Sequence, residues 1–209
     1  REPGAWWVNQ LENADTIAGY RELGEEIWRQ TQGEVDAFVH SVGTGASSRG
    51  VATALQARRP DVKLVVVEPA ESAVLSGGAP GPHKIEGVGI GYLPPLYDAS
   101  RVDAVEPVAT AEAKAMARRL AREEALFAGT SSGANVIASL RVAESSGAPV
   151  VNAVDRFMQE IEAARAKAEA LDDGALEELA SRTLDPPFDR FTLVVQAPPS
   201  GASTRTIIA

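Results

Sequence analysis

Gly43-Thr44-Gly45-Ala46-Ser47 is the stretch of this sequence whose residue types and spacing could do chemistry. Its glycines let the backbone approach a ligand closely, consecutive N–H groups can face outward, and Thr44, Ser47 and Ser48 add hydroxyl donors. The apolar run Ala37-Phe38-Val39 precedes it, and Ser48–Leu55 reads as a helix, so the turn falls where a strand hands over to a helix N-terminus. The dipole and open amides of such an end favour a phosphate or another anion. Glycine-rich turns of this kind also occur in α/β proteins with nothing bound, so the turn alone assigns no ligand. A second small-residue turn, Gly129-Thr130-Ser131-Ser132-Gly133, opens a helix predicted over 134–142. Two hydroxyl-rich turns at strand-to-helix junctions of one sheet lie at the strands' C-terminal ends and can serve one ligand.

The elements that must position these turns follow a β-loop-α-β alternation. Trp6-Trp7-Val8 is a short apolar run ending in Asn9-Gln10, and Asn13-Ala14-Asp15-Thr16 supplies helix-capping residues. Ile17, Tyr20, Leu23 and Ile27 then keep a helical spacing that Gln32-Gly33 closes. Residues 36–42 read as a strand into the glycine turn, the next helix stops at Arg58-Arg59-Pro60, and Lys63–Val67 is a β-branched run suited to a buried parallel strand. Residues 70–101 form one long connection rich in glycine and proline, with Ile85, Val88, Ile90 and Leu93 as its apolar anchors. Thr110–Glu124 is a predicted helix with Ala113, Met116, Ala117 and Leu120 on one face, and Leu126-Phe127-Ala128 a predicted short strand. The expected fold is α/β, an open, mostly parallel twisted sheet with helices on both faces and a helical C-terminal appendage.

Composition narrows the chemistry. A chain of 209 residues can bury a proper core, and a net charge of −9 disfavours nucleic acid or an anionic membrane as partner. Without cysteine there is no disulfide, thiolate metal site or cysteine nucleophile, and the two histidines, His40 and His83, make no zinc spacing. No apolar run reaches the roughly 20 residues of a membrane span and no signal-peptide pattern is present, so the expected setting is the cytoplasm.

Five segments stand in a telling order: Asn9-Gln10-Leu11-Glu12-Asn13, Val42-Gly43-Thr44-Gly45, Val67-Glu68-Pro69, Gly81–Gly89 and Gly129–Asn135. In that order and spacing they resemble the cysteine synthase/cystathionine β-synthase family, fold-type II enzymes dependent on pyridoxal 5′-phosphate (PLP). The resemblance covers about residues 5 to 145. It implies that Gly43, Thr44, Gly45, Ala46 and Ser47 match the family's phosphate cradle, usually GTGGT. Ala46 and Ser47 depart from that pattern; alanine at a glycine position requires a negative φ. Ser131 matches the serine that hydrogen-bonds the pyridine nitrogen, with helix capping as the alternative use of its hydroxyl. Gln10 matches a glutamine near the substrate carboxylate, and Gly87 lies in the segment that closes over the cofactor's reactive carbon. His83 and Lys84 read as structural.

The departures carry equal weight. In the resembled family the Schiff-base lysine, and a loop that binds the substrate carboxylate, precede the Gln10 motif. Neither is found among the nine residues before Gln10, and Lys63, Lys84, Lys114 and Lys167 lie in no matching context. The chain therefore reads as an incomplete copy, with no catalytic lysine of its own and no covalent cofactor attachment expected. The expected organisation is a PLP-enzyme-like α/β domain over 1–148 and a divergent, mainly helical tail over 149–209 with one strand near Phe191–Gln196. In that tail Val154, Phe157, Met158 and Ile161 form an apolar stripe, which leaves a homodimer or partner contact open. The resemblance implies β-replacement on an activated serine, such as O-acetylserine plus sulfide giving cysteine and acetate; cystathionine β-synthase-type condensation or a related β-elimination uses the same core, and the sequence does not separate them. The rival is a non-catalytic remnant that binds phosphate, PLP or a protein partner. A nucleotide-binding Rossmann domain is the weaker rival, because Ser48 stands where GxGxxG needs its third glycine.

Overall fold

A computed structural model of the chain describes residue 4, residues 7–146 and the backbone of 194–196 and 206–208. Strands β1 (Ala37–Ser41), β2 (Lys63–Pro69), β3 (Ala104–Val108), β4 (Val194–Gln196) and β5 (Thr206–Ile208) form one sheet in the order β3-β2-β1-β5-β4. All neighbours are parallel except β4 and β5. Helices α1 (Asp15–Gln30), α2 (Ala46–Arg58), α3 (Thr110–Glu123) and α4 (Thr130–Ser145) cover it.

Alternation along the strands divides the core in two. Ala37, Val39, Val65 and Val67 point to one face and pack with Ala113 of α3 and Ala134 and Ala138 of α4. Phe38, Leu64 and Val66 point to the other, against Ile27 of α1 and Val51, Ala52 and Leu55 of α2. The central strands are buried on both sides, which is why Leu64-Val65-Val66-Val67 is apolar without a break.

Helix pairs pack closely through glycine. A Cβ on Gly50 would lie 2.5 Å from Ile17 O, and one on Gly24 would lie 2.6 Å from Ala54 Cβ. These paired contacts run in the same direction along α1 and α2. They bring the N-terminal ends of both helices, and with them the 9–13 turn, to one side of the sheet.

Three expectations change. Residues 104–108 form a strand that the sequence pattern hid, because Pro107 reads as a breaker; β3 is an edge strand, where a missing N–H is tolerated. Leu126-Phe127-Ala128 is not a strand. Ala125 turns with φ +55°, Leu126 N–H bonds back to Leu120 O at 3.0 Å, and Phe127 is 99% exposed. This is a helix stop that passes the chain straight from α3 to α4. Consequently Thr130–Gly133 is the first turn of α4 at a helix-to-helix junction, and α4 runs to Ser145 rather than Val142.

Beyond residue 149 the expected strand near 191–196 appears as β4 over 194–196, and β5 joins β1 as a second strand of the same sheet. The helical reading of the tail and its stripe at 154–161, like Lys167, lies outside the described residues.

Candidate functional site

The turn after β1 is built by close backbone approaches. Gly45, with φ +85°, is the N-cap of α2, a conformation that disfavours any side chain. A Cβ on Gly45 would lie 2.7 Å from Tyr97 N, and one on Gly43 would lie 2.5 Å from Gly87 O. The turn is thus walled by residues 96–97 and by the 87–89 segment, whose Gly89 N–H donates to Val42 O at 3.1 Å. Ala46 falls inside α2 and is not among the positive-φ residues, so alanine is accommodated where the resembled pattern has glycine.

Among the described residues, the electrostatics of this helix end are shared by only one other α-helix, α4. The first turns of α1 and α3 carry Asp15 and Glu112, whereas those of α2 and α4 carry no acid. An acidic residue would occupy the positive end of the helix dipole; here hydroxyls line it instead. Arg49 N–H makes the first bond back along α2, to Gly45 O at 3.1 Å, so the amides of Ser47 and Ser48 precede the intrahelical ladder. Thr44 Oγ1 accepts from Ala46 N–H at 3.3 Å, Ser48 Oγ donates to Gly45 O at 3.1 Å, and Ser47 Oγ lies 3.0 Å from His40 Nε2.

Ser131 is not the cap of α4. That position is Gly129, which makes no side-chain cap bond, so helix capping does not account for the Ser131 hydroxyl. The two turns open helices, α2 and α4, that lie on opposite faces of the sheet, and the tie between them is Asn135. Its Oδ1 accepts from Ser41 N–H at 2.9 Å, fixing the N-terminal part of α4 to the end of β1, two residues before Gly43. Nothing fills the place of a Cβ at Gly87 or Gly129 within 4 Å. Gln10 is exposed on the 9–13 turn, where Asn13 N–H bonds Asn9 O at 2.9 Å; among the described residues no hydrogen bond links it to the β1–α2 turn.

Supporting residues have definite jobs. Ile85 N–H donates to His83 Nδ1 at 3.2 Å, so that ring carries its proton on Nε2 and donates to Gly89 O at 2.9 Å. His83 therefore staples the segment that walls the turn, as its structural reading expects. Glu68, 2% exposed, accepts from the amides of Leu75 at 2.6 Å and Ser76 at 3.0 Å and anchors the start of the long connection. Burial pushes the Glu71 carboxyl up, but the Thr110 N–H at 2.8 Å and its neighbours outweigh that and hold it below its ordinary value. Burial lowers the His40 pKa from 6.5 to about 4. Lys63 starts β2 at the opposite end from the turn and pairs with Asp103 at 2.9 Å; Lys84 is exposed in the 81–89 segment, and Lys114 lies on α3.

Sequence reasoning missed His40, counted only for metal spacing, and Asn135, quoted without a role. Their place on the strand and helix beside the two turns was the available signal.

A mostly parallel sheet with two acid-free, hydroxyl-lined helix starts, one tied to the end of a central strand, defines an α/β protein with open helix N-termini at one edge, the kind of end that suits an anion. The profile of the family described as pyridoxal-phosphate dependent enzyme matches residues 1–174, and the chain belongs to that family. Its relatives include Cysteine synthase 3 of Caenorhabditis elegans, 42% identical over 161 residues that make up 75% of this chain and 48% of the relative. The cysteine synthase of Staphylococcus aureus is 41% identical over 148 residues, 70% of this chain and 48% of its own. Among solved structures, cysteine synthase from Entamoeba histolytica superposes with a TM-score of 0.66 at 42% identity, over 68% of this chain and 42% of that one. The O-acetylserine-dependent cystathionine β-synthase of Helicobacter pylori gives 0.66 at 36% identity, over 69% and 47%. The chain spans about half the length of the curated relatives it matches. The family implies PLP as cofactor. No helix among the described residues is long and apolar enough to cross a membrane.

Proposed function

We propose that this chain supplies the cofactor-holding part of a cysteine synthase-type β-replacement, converting an activated serine such as O-acetylserine, with sulfide, to cysteine and acetate. The observation that carries the proposal is the N-terminus of α2: left-handed Gly45, no acid in the first turn, and hydroxyls and amides at its open end. Such an end binds a phosphate through charge-assisted hydrogen bonds from donors already in place. In this reading Gly43 and Gly45 let the backbone close on the phosphate, Ala46 and Ser47 begin the helix that faces it, and Thr44 and Ser47 donate hydroxyl protons. When bound, PLP supplies the electron sink that stabilises negative charge at the substrate's α-carbon. Ser131 would donate its hydroxyl to the ring nitrogen, and a neutral donor keeps that nitrogen unprotonated, which tempers the ring toward replacement chemistry. Gln10 would meet the substrate carboxylate, and Gly87 would leave room beside the reacting carbon. The relatives' names support an activated serine as substrate.

The second reading is a remnant that holds phosphate or PLP without covalent chemistry of its own. It is favoured by the lysines: Lys63 is pinned by Asp103 at the wrong end of β2, and none of the four matches the sequence context that the resemblance requires. Titrating the chain with PLP, reducing with borohydride and mapping peptides separates the two. Noncovalent PLP binding with no reduced lysine adduct supports a chain that needs a lysine from elsewhere. An adduct recovered on Lys84 or Lys114 would refute that view and make the chain self-sufficient in this respect.

A further inference from the structure

We propose that His40 is a positioning residue for the anion site: its Nε2–H donates to Ser47 Oγ and thereby leaves the Ser47 hydroxyl proton for a phosphate at the start of α2. This rests on reading residues 43–48 as the phosphate cradle. His40 lies on β1, on the face covered by α2, with its ring stacked on Phe38 at 5.4 Å between centroids and 16° between planes. That stack fixes the ring plane, and Nε2 lies 3.0 Å from Ser47 Oγ.

The argument turns on a single proton. A hydroxyl has one hydrogen to donate and lone pairs to accept with. Were Ser47 to spend that hydrogen on His40, it would present only lone pairs to an anion and repel it. With the ring proton on Nε2 the roles reverse: the oxygen accepts from the strand side and donates outward. A doubly protonated imidazole would do the same, but burial holds the pKa near 4, so the ring is neutral at pH 7 and its tautomer decides. His40 touches no reacting atom; it acts through Ser47.

The test uses the whole chain, 15N-labelled, with inorganic phosphate as probe. Long-range proton–nitrogen spectra report which ring nitrogen is protonated; loss of signal in His40→Gln assigns the resonances, and His83, fixed on Nε2, is the internal reference. With phosphate bound, His40 is expected to carry its proton on Nε2; a proton on Nδ1 with Nε2 bare would overturn the inference. His40→Leu leaves the Ser47 hydroxyl its proton but removes the donor that orients it, and is expected to weaken phosphate binding several-fold, up to about tenfold. His40→Gln, which keeps a donor, should recover most of it. The double variant His40→Leu with Ser47→Ala should bind phosphate no more weakly than Ser47→Ala alone, because the two act as one unit; a total loss equal to the sum of the two single losses would refute the relay. If Thr44→Ala and Ser47→Ala both leave phosphate affinity unchanged, the cradle itself fails and the inference with it. If they weaken binding while His40 keeps its proton on Nδ1, the inference fails alone.

Discussion

Replacing Gly133 by alanine tests the placement of α4 in detail. A Cβ on Gly133 would lie 2.2 Å from Ala113 O, 2.9 Å from Ala117 N and 3.2 Å from Ala113 C, all backbone atoms of α3. Backbone cannot swing aside like the tip of a side chain, so the first turn of α4 must back away by about 1 Å to restore van der Waals contact. Such overpacking costs about 1–3 kcal/mol. The same shift strains the Asn135–Ser41 bond of 2.9 Å, two residues further on, and losing it adds about 1 kcal/mol. Alanine returns about 1 kcal/mol in helix propensity. The net expectation is a destabilisation of about 1–3 kcal/mol. Gly129→Ser is the control: no atom lies within 4 Å of its Cβ, its φ of −74° suits any residue, and serine is a good N-cap. It should be neutral or stabilising by a few tenths of a kcal/mol. Urea unfolding of the parent and both variants measures this. A Gly133→Ala chain as stable as the parent would refute the close α3–α4 contact and the anchoring of α4 to the end of β1.

Two further outcomes follow from polar groups within the fold. Because the folded pKa of His40 lies below its unfolded value, its contribution is fully present above about pH 6.5 and is lost as pH falls toward 4. The parent should lose up to about 3 kcal/mol more than His40→Gln between pH 7 and pH 4, read from denaturation midpoints; parallel curves would contradict the lowered pKa of this half-buried ring. Glu68→Ala leaves the Leu75 and Ser76 amides without their acceptor and should cost about 2–4 kcal/mol, while Glu68→Gln keeps one acceptor oxygen and costs less. Equal stability of the two variants would show that Glu68 does not anchor that connection.

The sheet's centre was legible because burial on both faces leaves one plain mark, the unbroken apolar run of β2, and because glycines flag the turn after β1. Its edges were not. Pro107 disguised β3, and a three-residue strand such as Thr206–Ile208 carries too little pattern to stand out from a loop. Leu126-Phe127 misled in the opposite direction, since an apolar pair past a helix end can close the helix as readily as start a strand. At the candidate site, glycines and hydroxyls could be read by type. The long-range pairs His40–Ser47 and Asn135–Ser41 depend on which face of β1 and which turn of each helix meet, and spacing along one chain does not encode that.

The account stands most directly on where an anion and PLP touch the chain, and amide chemical-shift mapping of the 15N-labelled protein reads that residue by residue. Inorganic phosphate should shift the amides of Gly45, Ala46, Ser47 and Ser48 saturably and leave 129–133 in place. PLP should shift the same amides and, in addition, those of Ser131 and its neighbours. Saturable shifts confined to other surfaces, with the amides of 45–48 unmoved by either ligand, would contradict the assignment of the α2 N-terminus as the phosphate site.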